Sequence, residues 1–240
     1  KYPQNLYKLA EEAITLAEAE GVDFSRYDNN NDGWVDSLII VHQGLGDQMF
    51  VNPLSQGGSH PLYFDNVKIE HFAMLTELSK APPDPRIRPM GFFAHEYGHL
   101  LGMIDLYHWY YINKDTNIRP GIGRYDLMAY GNYGGIGGSA SQPTEISPFH
   151  KALLGWLEPV VVNSDTTIFI SPLETNAFAV KIPFGPDSRE YFLLSNQQKL
   201  GYDEKLPAEG LFIWHIDERA FLQNAAIAPQ ETCGRDHKYF

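Results

Sequence analysis

The chain has 240 residues, 43% hydrophobic and 13% aromatic, a globular composition with room for one large core or two closely joined lobes. A net charge of −12 sets it against nucleic-acid phosphates and anionic membrane surfaces, and no apolar run approaches the roughly 18 residues of a membrane-spanning helix. The single cysteine, Cys233, excludes an internal disulfide framework, so stability must come from packing and bound ions; it reads as an unpaired thiol near a chain end, or as the partner of a residue beyond it.

The first stretch, KYPQNLYKLAEEA, has no signal-peptide apolar core, which a processed chain would have lost. From Pro3 to Glu20 the spacing of Leu6, Leu9, Ala13, Leu16 and Ala17 predicts an amphipathic helix that packs on the core, a partner-binding helix being the sharper alternative. In Asp28-Asn29-Asn30-Asn31-Asp32-Gly33-Trp34-Val35-Asp36, oxygen side chains at 28, 30 and 32 precede a glycine, a residue offering its carbonyl, and Asp36. This is the order of the first nine positions of a calcium loop, although Ile39 stands where an EF-hand has its bidentate glutamate. Asp28, Asn30, Asp32, Trp34 and Asp36 are thus candidate Ca²⁺ ligands, against the plainer reading of a polar turn.

Ser37 to His42 reads as a buried strand, and Gln43 to Pro61, rich in Gly, Ser and Pro, as a surface loop with a solvated His60. Asn66 to Leu78 alternates in part. It fits an edge strand that adds an extended peptide, or equally a strand buried among neighbours. The four prolines of Ala81 to Pro89 exclude regular structure, and Pro89 suits the first turn of the helix that follows.

That helix carries GFFAHEYGHLLGMID, Gly91 to Asp105. His95 and His99, four apart, project from one helical face and can grip one ion, while Glu96 is placed to take a proton from a water that the ion polarises. Gly102 accepts the left-handed conformation that turns the chain back, bringing Asp105 as a third ligand. Two histidines and one carboxylate form an established catalytic Zn²⁺ set; His108, nine residues past His99, and Glu145 are the competing third donors. HExxHxxGxx followed by a ligand is the metzincin arrangement, and Met128 in YDLMAYG sits where its Met-turn would pass.

The aromatic stretch after Asp105 reads as a cleft wall or as surface packing. Tyr130 is a candidate oxyanion donor, a packed aromatic being the alternative. Gly131 to Gln142 lacks a phosphate-binding signature, and Ser147 with Pro148 caps a helix through Trp156. From Pro159 the runs VVVN, TTIFIS, AFAVKI, EYFLLSN and GLFIWHID predict a β-rich lobe. His215 and Asp217 share a strand face, as a hydrogen-bonded pair or a second metal site.

The blocks GFFAHEYGHLLGMIDLY, RYDLMAYGNYGG, SPFHKALLGWLEP and YFLLSNQQKLGYDEKLPAEGLFIWHID, in this order, resemble the secreted bacterial metallopeptidases typified by immune inhibitor A, from about Val22 to Asp217. The resemblance implies an α+β, metzincin-like zincin with a twisted mixed sheet, a zinc-binding active-site helix, a Met-turn and a β-rich C-terminal lobe. Residues 1–157 would be the zincin part and 158–240 the lobe of the same catalytic unit. It further implies a secreted zinc endopeptidase that also holds calcium and acts on protein or peptide substrates; a monomer is expected, and the charge and short apolar runs already set the chain against nucleic acid and membrane insertion. Small residues usually occupy the place of Tyr130 in that family, so this position departs from the pattern. A zinc- and calcium-binding relative without turnover is the rival reading, and a hydrolase of a non-peptide bond is another; the intact Glu96 speaks against the first.

Overall fold

The computed structural model of the chain describes residues 4–45, 49–53, 60–79, 86–107, 121–134, 138–186 and 188–219, which form an α+β fold with two larger sheets and a small hairpin. The organising strand is β5, His71–Ser79, in which Phe72, Ala73, Met74, Leu75 and Thr76 are all buried. It runs between β1 (Ile39–Leu45), parallel to it with Ile39 opposite Ala73, and β2 (Met49–Pro53), antiparallel with Met49 opposite Leu75.

Side chains alternate across a strand, so β5 meets two different layers. Phe72 and Met74 cluster with Leu6, Tyr7, Ala10 and Ile14 of helix α1 (Gln4–Ala19), with the Tyr7 and Phe72 rings edge to face at 6.2 Å. Ala73 and Leu75 face the other way, onto Leu100, Phe92 and Phe93 of helix α2 (Met90–Leu100). The sheet is therefore sandwiched between the two helices.

Several expectations are corrected. The centre of the buried stripe of α1 is Leu6, Tyr7, Ala10 and Ile14, whereas Leu16 is 62% exposed; apolar residues fill two adjacent stripes of this helix, and packing against β5 selects one. The Gly-rich stretch from Gln43 contains β2, because pairing with β5 outweighs weak local strand preference. Flanked by β1 and β2, β5 is not an edge, and the outer position beyond it belongs to β2. Arg86–Ile87, within the proline-rich segment, forms a short strand, β6, paired with β5 at Leu78 and Ser79.

The hairpin comprises β3 (Leu62–Phe64) and β4 (Val67–Ile69), joined by Asp65 and Asn66 with φ of 50° and 66°, the left-handed pair that a tight two-residue connection demands. The Asp65 carboxylate accepts the Phe24 N–H at 2.8 Å. The 28–36 loop is laced to β4, since Lys68 N–H donates to Gly33 O at 2.8 Å and Val35 N–H to Lys68 O at 2.9 Å.

The second sheet has the order β10 (Gly210–Asp217), β9 (Glu190–Gln197), β8 (Val180–Pro183), β7 (Val160–Val161). Its core of Leu157, Leu173, Ala179, Tyr191 and Leu193 is closed by Phe149 and Ala152 of helix α3 (Pro148–Leu153) and by Trp214 and Ile216. The predicted TTIFIS strand does not form. Ile170 O accepts from Asn196 Nδ2 at 3.0 Å, the adjoining Pro172 forms an isolated bridge to Asn196, and Phe169 is 86% exposed. Among the described residues no helix is long and apolar enough to cross a membrane.

Candidate metal centre

Helix α2 starts at Pro89, which serves as its N-cap in extended conformation rather than as a member of its first turn. The helix presents His95, Glu96 and His99, all buried. It stops where Gly102 takes φ +93° and donates to His99 O at 2.9 Å, while Met103 N–H donates to Gly98 O at 2.9 Å. A side chain would strain this left-handed position. The reversal sends residues 103–105 back beside the helix.

Asp105 thereby lies with Oδ1 at 3.1 Å from His95 Nε2 and 3.4 Å from His99 Nε2. One ligand atom from each of the three residues lies within 4.8 Å of the other two, and among the described residues no other group of three His, Cys, Asp or Glu side chains gathers in this way. His95 Nδ1 lies 3.1 Å from Leu127 O and His99 Nδ1 3.1 Å from Met103 O. Carbonyls only accept, so both Nδ1 atoms carry protons, and each ring, once neutral, turns an Nε2 lone pair inward. Asp105 Oδ1 is buried and faces the two Nε2 atoms without a well-aligned hydrogen bond to either. Three such donors facing one another repel unless a proton or a cation lies between them, and the set suits a zinc-type ion.

The electrostatics of the metal-free chain agree. Burial disfavours a charged His99, but hydrogen bonding and charge from Asp105 prevail and raise its pKa to about 9. Burial likewise works against the Asp105 carboxylate, yet the two histidines hold its pKa well below the usual range. Burial pushes Glu96 up, and the neighbouring His99 and His95 offset this in part.

The floor under α2 is the segment from Asp126 to Ala129, where Leu127, Met128 and Ala129 are buried. Asp126, fully buried, accepts from Met128 N–H at 2.6 Å, Ser147 N–H at 2.7 Å and His150 Nδ1 at 2.8 Å. Burial alone would raise its pKa, but His150 and Ser147 bring it below the ordinary value. Spacing gave no sign of Asp126 and His150, 24 residues apart; the available signal was an aspartate set directly before Leu-Met in the presumed floor segment.

Tyr130 is half-buried and belongs to a row of rings: His95 and Tyr107 are 6.2 Å apart, Tyr107 and Tyr130 6.5 Å, Tyr130 and Tyr133 6.1 Å, and Tyr133 and Phe92 5.3 Å. Tyr107, which the sequence reading did not single out, is the ring next to His95. Glu145, the rival donor, pairs instead with Lys151 and lies outside the His-His-Asp group. His108 and Cys233 lie outside the described residues.

In the 28–36 loop, Asp28 accepts from Asp32 N–H at 3.0 Å and Gly33 N–H at 2.9 Å, Asn30 from Asp32 N–H at 3.1 Å, and Asp32 from Trp34 N–H at 2.9 Å. Asp36 accepts from Asn29 N–H at 3.1 Å, and the three carboxylates do not converge as the His-His-Asp group does. His215 lies 2.9 Å from Glu190 across the strands, while Asp217 holds Arg219, so the two are not a mutual pair.

Residues 77–157 match the family described as immune inhibitor A peptidase M6, catalytic domain. Immune inhibitor A of Bacillus thuringiensis subsp. alesti is 26% identical over 176 residues, 63% of this chain and 25% of that protein. The pre-pro-metalloprotease PrtV of Vibrio cholerae serotype O1 (strain M66-2) is 28% identical over 161 residues, 59% of this chain and 17% of that protein. The chain thus spans a quarter or less of the length of these relatives. Through the histidine helix, the floor and the helix after it, the chain resembles the immune inhibitor A peptidases.

Proposed function

We propose that this chain is the catalytic part of a secreted zinc-dependent endopeptidase of metzincin type, with His95, His99 and Asp105 holding the ion and Met128 in the Met-turn beneath it. The observation that carries the reading is the convergence of the His95 and His99 Nε2 atoms on one buried carboxylate oxygen of Asp105. When bound, the ion supplies Lewis-acid polarisation of a water and of the scissile carbonyl. Glu96, its proton affinity raised by burial, accepts the proton of the attacking water on a carboxylate oxygen and delivers it to the leaving nitrogen. The Tyr130 phenol donates to the developing oxyanion.

The substrate is an extended protein or peptide segment that adds to the outer edge of β2, beside which α2 packs. Residues 1–157 and 158–240 act as two lobes of one monomeric unit. Calcium at Asp28, Asn30, Asp32, Trp34 and Asp36 belongs to the same reading; the ligand spacing and the Asp28, Asn30 and Asp32 turns supporting that order are its basis.

The test is casein digestion by the wild type and Glu96→Ala, each with and without phenanthroline. Cleavage by the wild type alone, stopped by the chelator, supports a zinc peptidase. Equal cleavage by both proteins overturns the role of Glu96, and no cleavage by a zinc-loaded wild type favours a relative without turnover.

A further inference from the structure

The two histidines of the metal centre are oriented by carbonyls, Leu127 O for His95 and Met103 O for His99. These carbonyls belong to separate segments, 24 residues apart in the chain, so something must hold both at once. Asp126 and His150 span the gap. Oδ1 of Asp126 holds the N–H of Met128, and so fixes the chain on either side of Leu127. Its Oδ2 holds Ser147 N–H and His150 Nδ1. Because an ionised carboxylate only accepts, Nδ1 of His150 carries the proton and Nε2 is left to accept, here from Ile104 N–H at 3.4 Å. Ile104 lies between Met103, the acceptor for His99, and Asp105, the third ligand.

We propose that the buried Asp126–His150 pair is a positioning device that sets both histidine rings and the Asp105 carboxylate in register for the ion. The proposal rests on the metallopeptidase reading above. Both side chains are fully buried, and neither belongs to the ligand group. An aspartate in such a place must be compensated by hydrogen bonds or charge, and here every compensating donor leads into the metal-site scaffold or the helix behind it. One link reaches the His95 side through Leu127, the other the His99 and Asp105 side through Ile104. Loss of either link frees a histidine acceptor to shift, which weakens the ligand set without removing a ligand.

The test uses the 240-residue chain stripped of metal and titrated with Co²⁺, reading affinity by chelator competition and geometry by the d–d absorption, together with kcat, KM and thermal midpoint. Asp126→Asn is expected to weaken Co²⁺ binding about 10–100-fold, shift the absorption and lower kcat with KM little changed. Ile14→Ala, in the core on the far side of β5, lowers the midpoint as a stability control and leaves affinity within about twofold of wild type. If Asp126→Asn fails to fold, His150→Gln carries the test, since it disturbs chiefly the link to Ile104. Wild-type affinity and absorption in either folded variant overturn the positioning role. A wild type that takes up no Co²⁺ overturns the metal reading itself, and this proposal with it.

Discussion

The carboxylate of Asp203 accepts the backbone N–H of Glu145 at 2.8 Å, in a place where Asp203 is only 1% exposed. Burial raises its pKa to about 7; the hydrogen bond from Glu145 opposes this, and the charges of Glu145 and Glu174 add to it. In the unfolded chain the group titrates near 3.8. The folded protein therefore binds the extra proton between these values, and the contribution to stability is full below pH 3.8 and lost as pH rises through about 7. Asp203→Asn, which keeps an acceptor oxygen without the charge, is expected to stabilise by about 2 kcal/mol at pH 8 and by little at pH 4. Thermal midpoints of both proteins at the two pH values check this; an equal difference at both would refute the titration argument.

Metal uptake should depend on pH in a matching way. His99, raised to about 9 in the metal-free chain, must release its proton for the ion. Apparent Zn²⁺ affinity is expected to climb about tenfold per pH unit from pH 7 toward 9 and then level off. In the metal-free chain the sign is opposite for folding: stability gained from the raised His99 is whole below pH 6.5 and lost as pH passes about 9. Competition titrations against a chelator of known pH behaviour give the slope, and a flat profile contradicts it.

Glu96→Gln should separate binding from chemistry. Zinc content is expected to stay at one per chain, while kcat falls about 10²–10⁴-fold, the usual worth of a general base. Elemental analysis alongside peptide cleavage decides; loss of zinc in the variant would mean that Glu96 supports the site rather than the reaction.

The predicted calcium loop has its own check. Ca²⁺ is expected to raise the thermal midpoint of the wild type and to do nothing for Asp32→Ala, with the difference growing as RT ln(1 + [Ca²⁺]/Kd). Identical midpoints with and without millimolar Ca²⁺ would leave the loop as the polar turn its hydrogen bonds already make.

How much of this was legible beforehand follows from where each signal resides. The His95, Glu96, His99, Gly102 and Asp105 set is local, fixed by helical period and one left-handed residue, so spacing alone brought its members together. Strand β2 was missed because its place depends on β5, a partner 20 or so residues away, and its flanks are rich in glycine and proline. The buried stripe of α1 was shifted by the same kind of cause: Leu9, Ala13 and Leu16 form as good a helical stripe as Leu6, Ala10 and Ile14, and only the neighbouring Phe72 and Met74 choose between them. Asp126 and His150 had no periodic signature at all, being joined only by the fold.

The second sheet leans on residues that come before it in the chain. Phe149, Ala152 and Leu157 complete its core, Tyr125 meets Phe212 with ring centroids 4.9 Å apart, Gln142 reaches Gly201 at 3.0 Å, and Asp203 caps Glu145. A shortened chain ending at residue 157 would consequently be a poor reagent. It would carry the histidines and Asp105 but present a raw apolar flank, leave the Glu145 N–H without its acceptor and loosen the floor segment, so shortening the chain for expression should stop no earlier than Asp217.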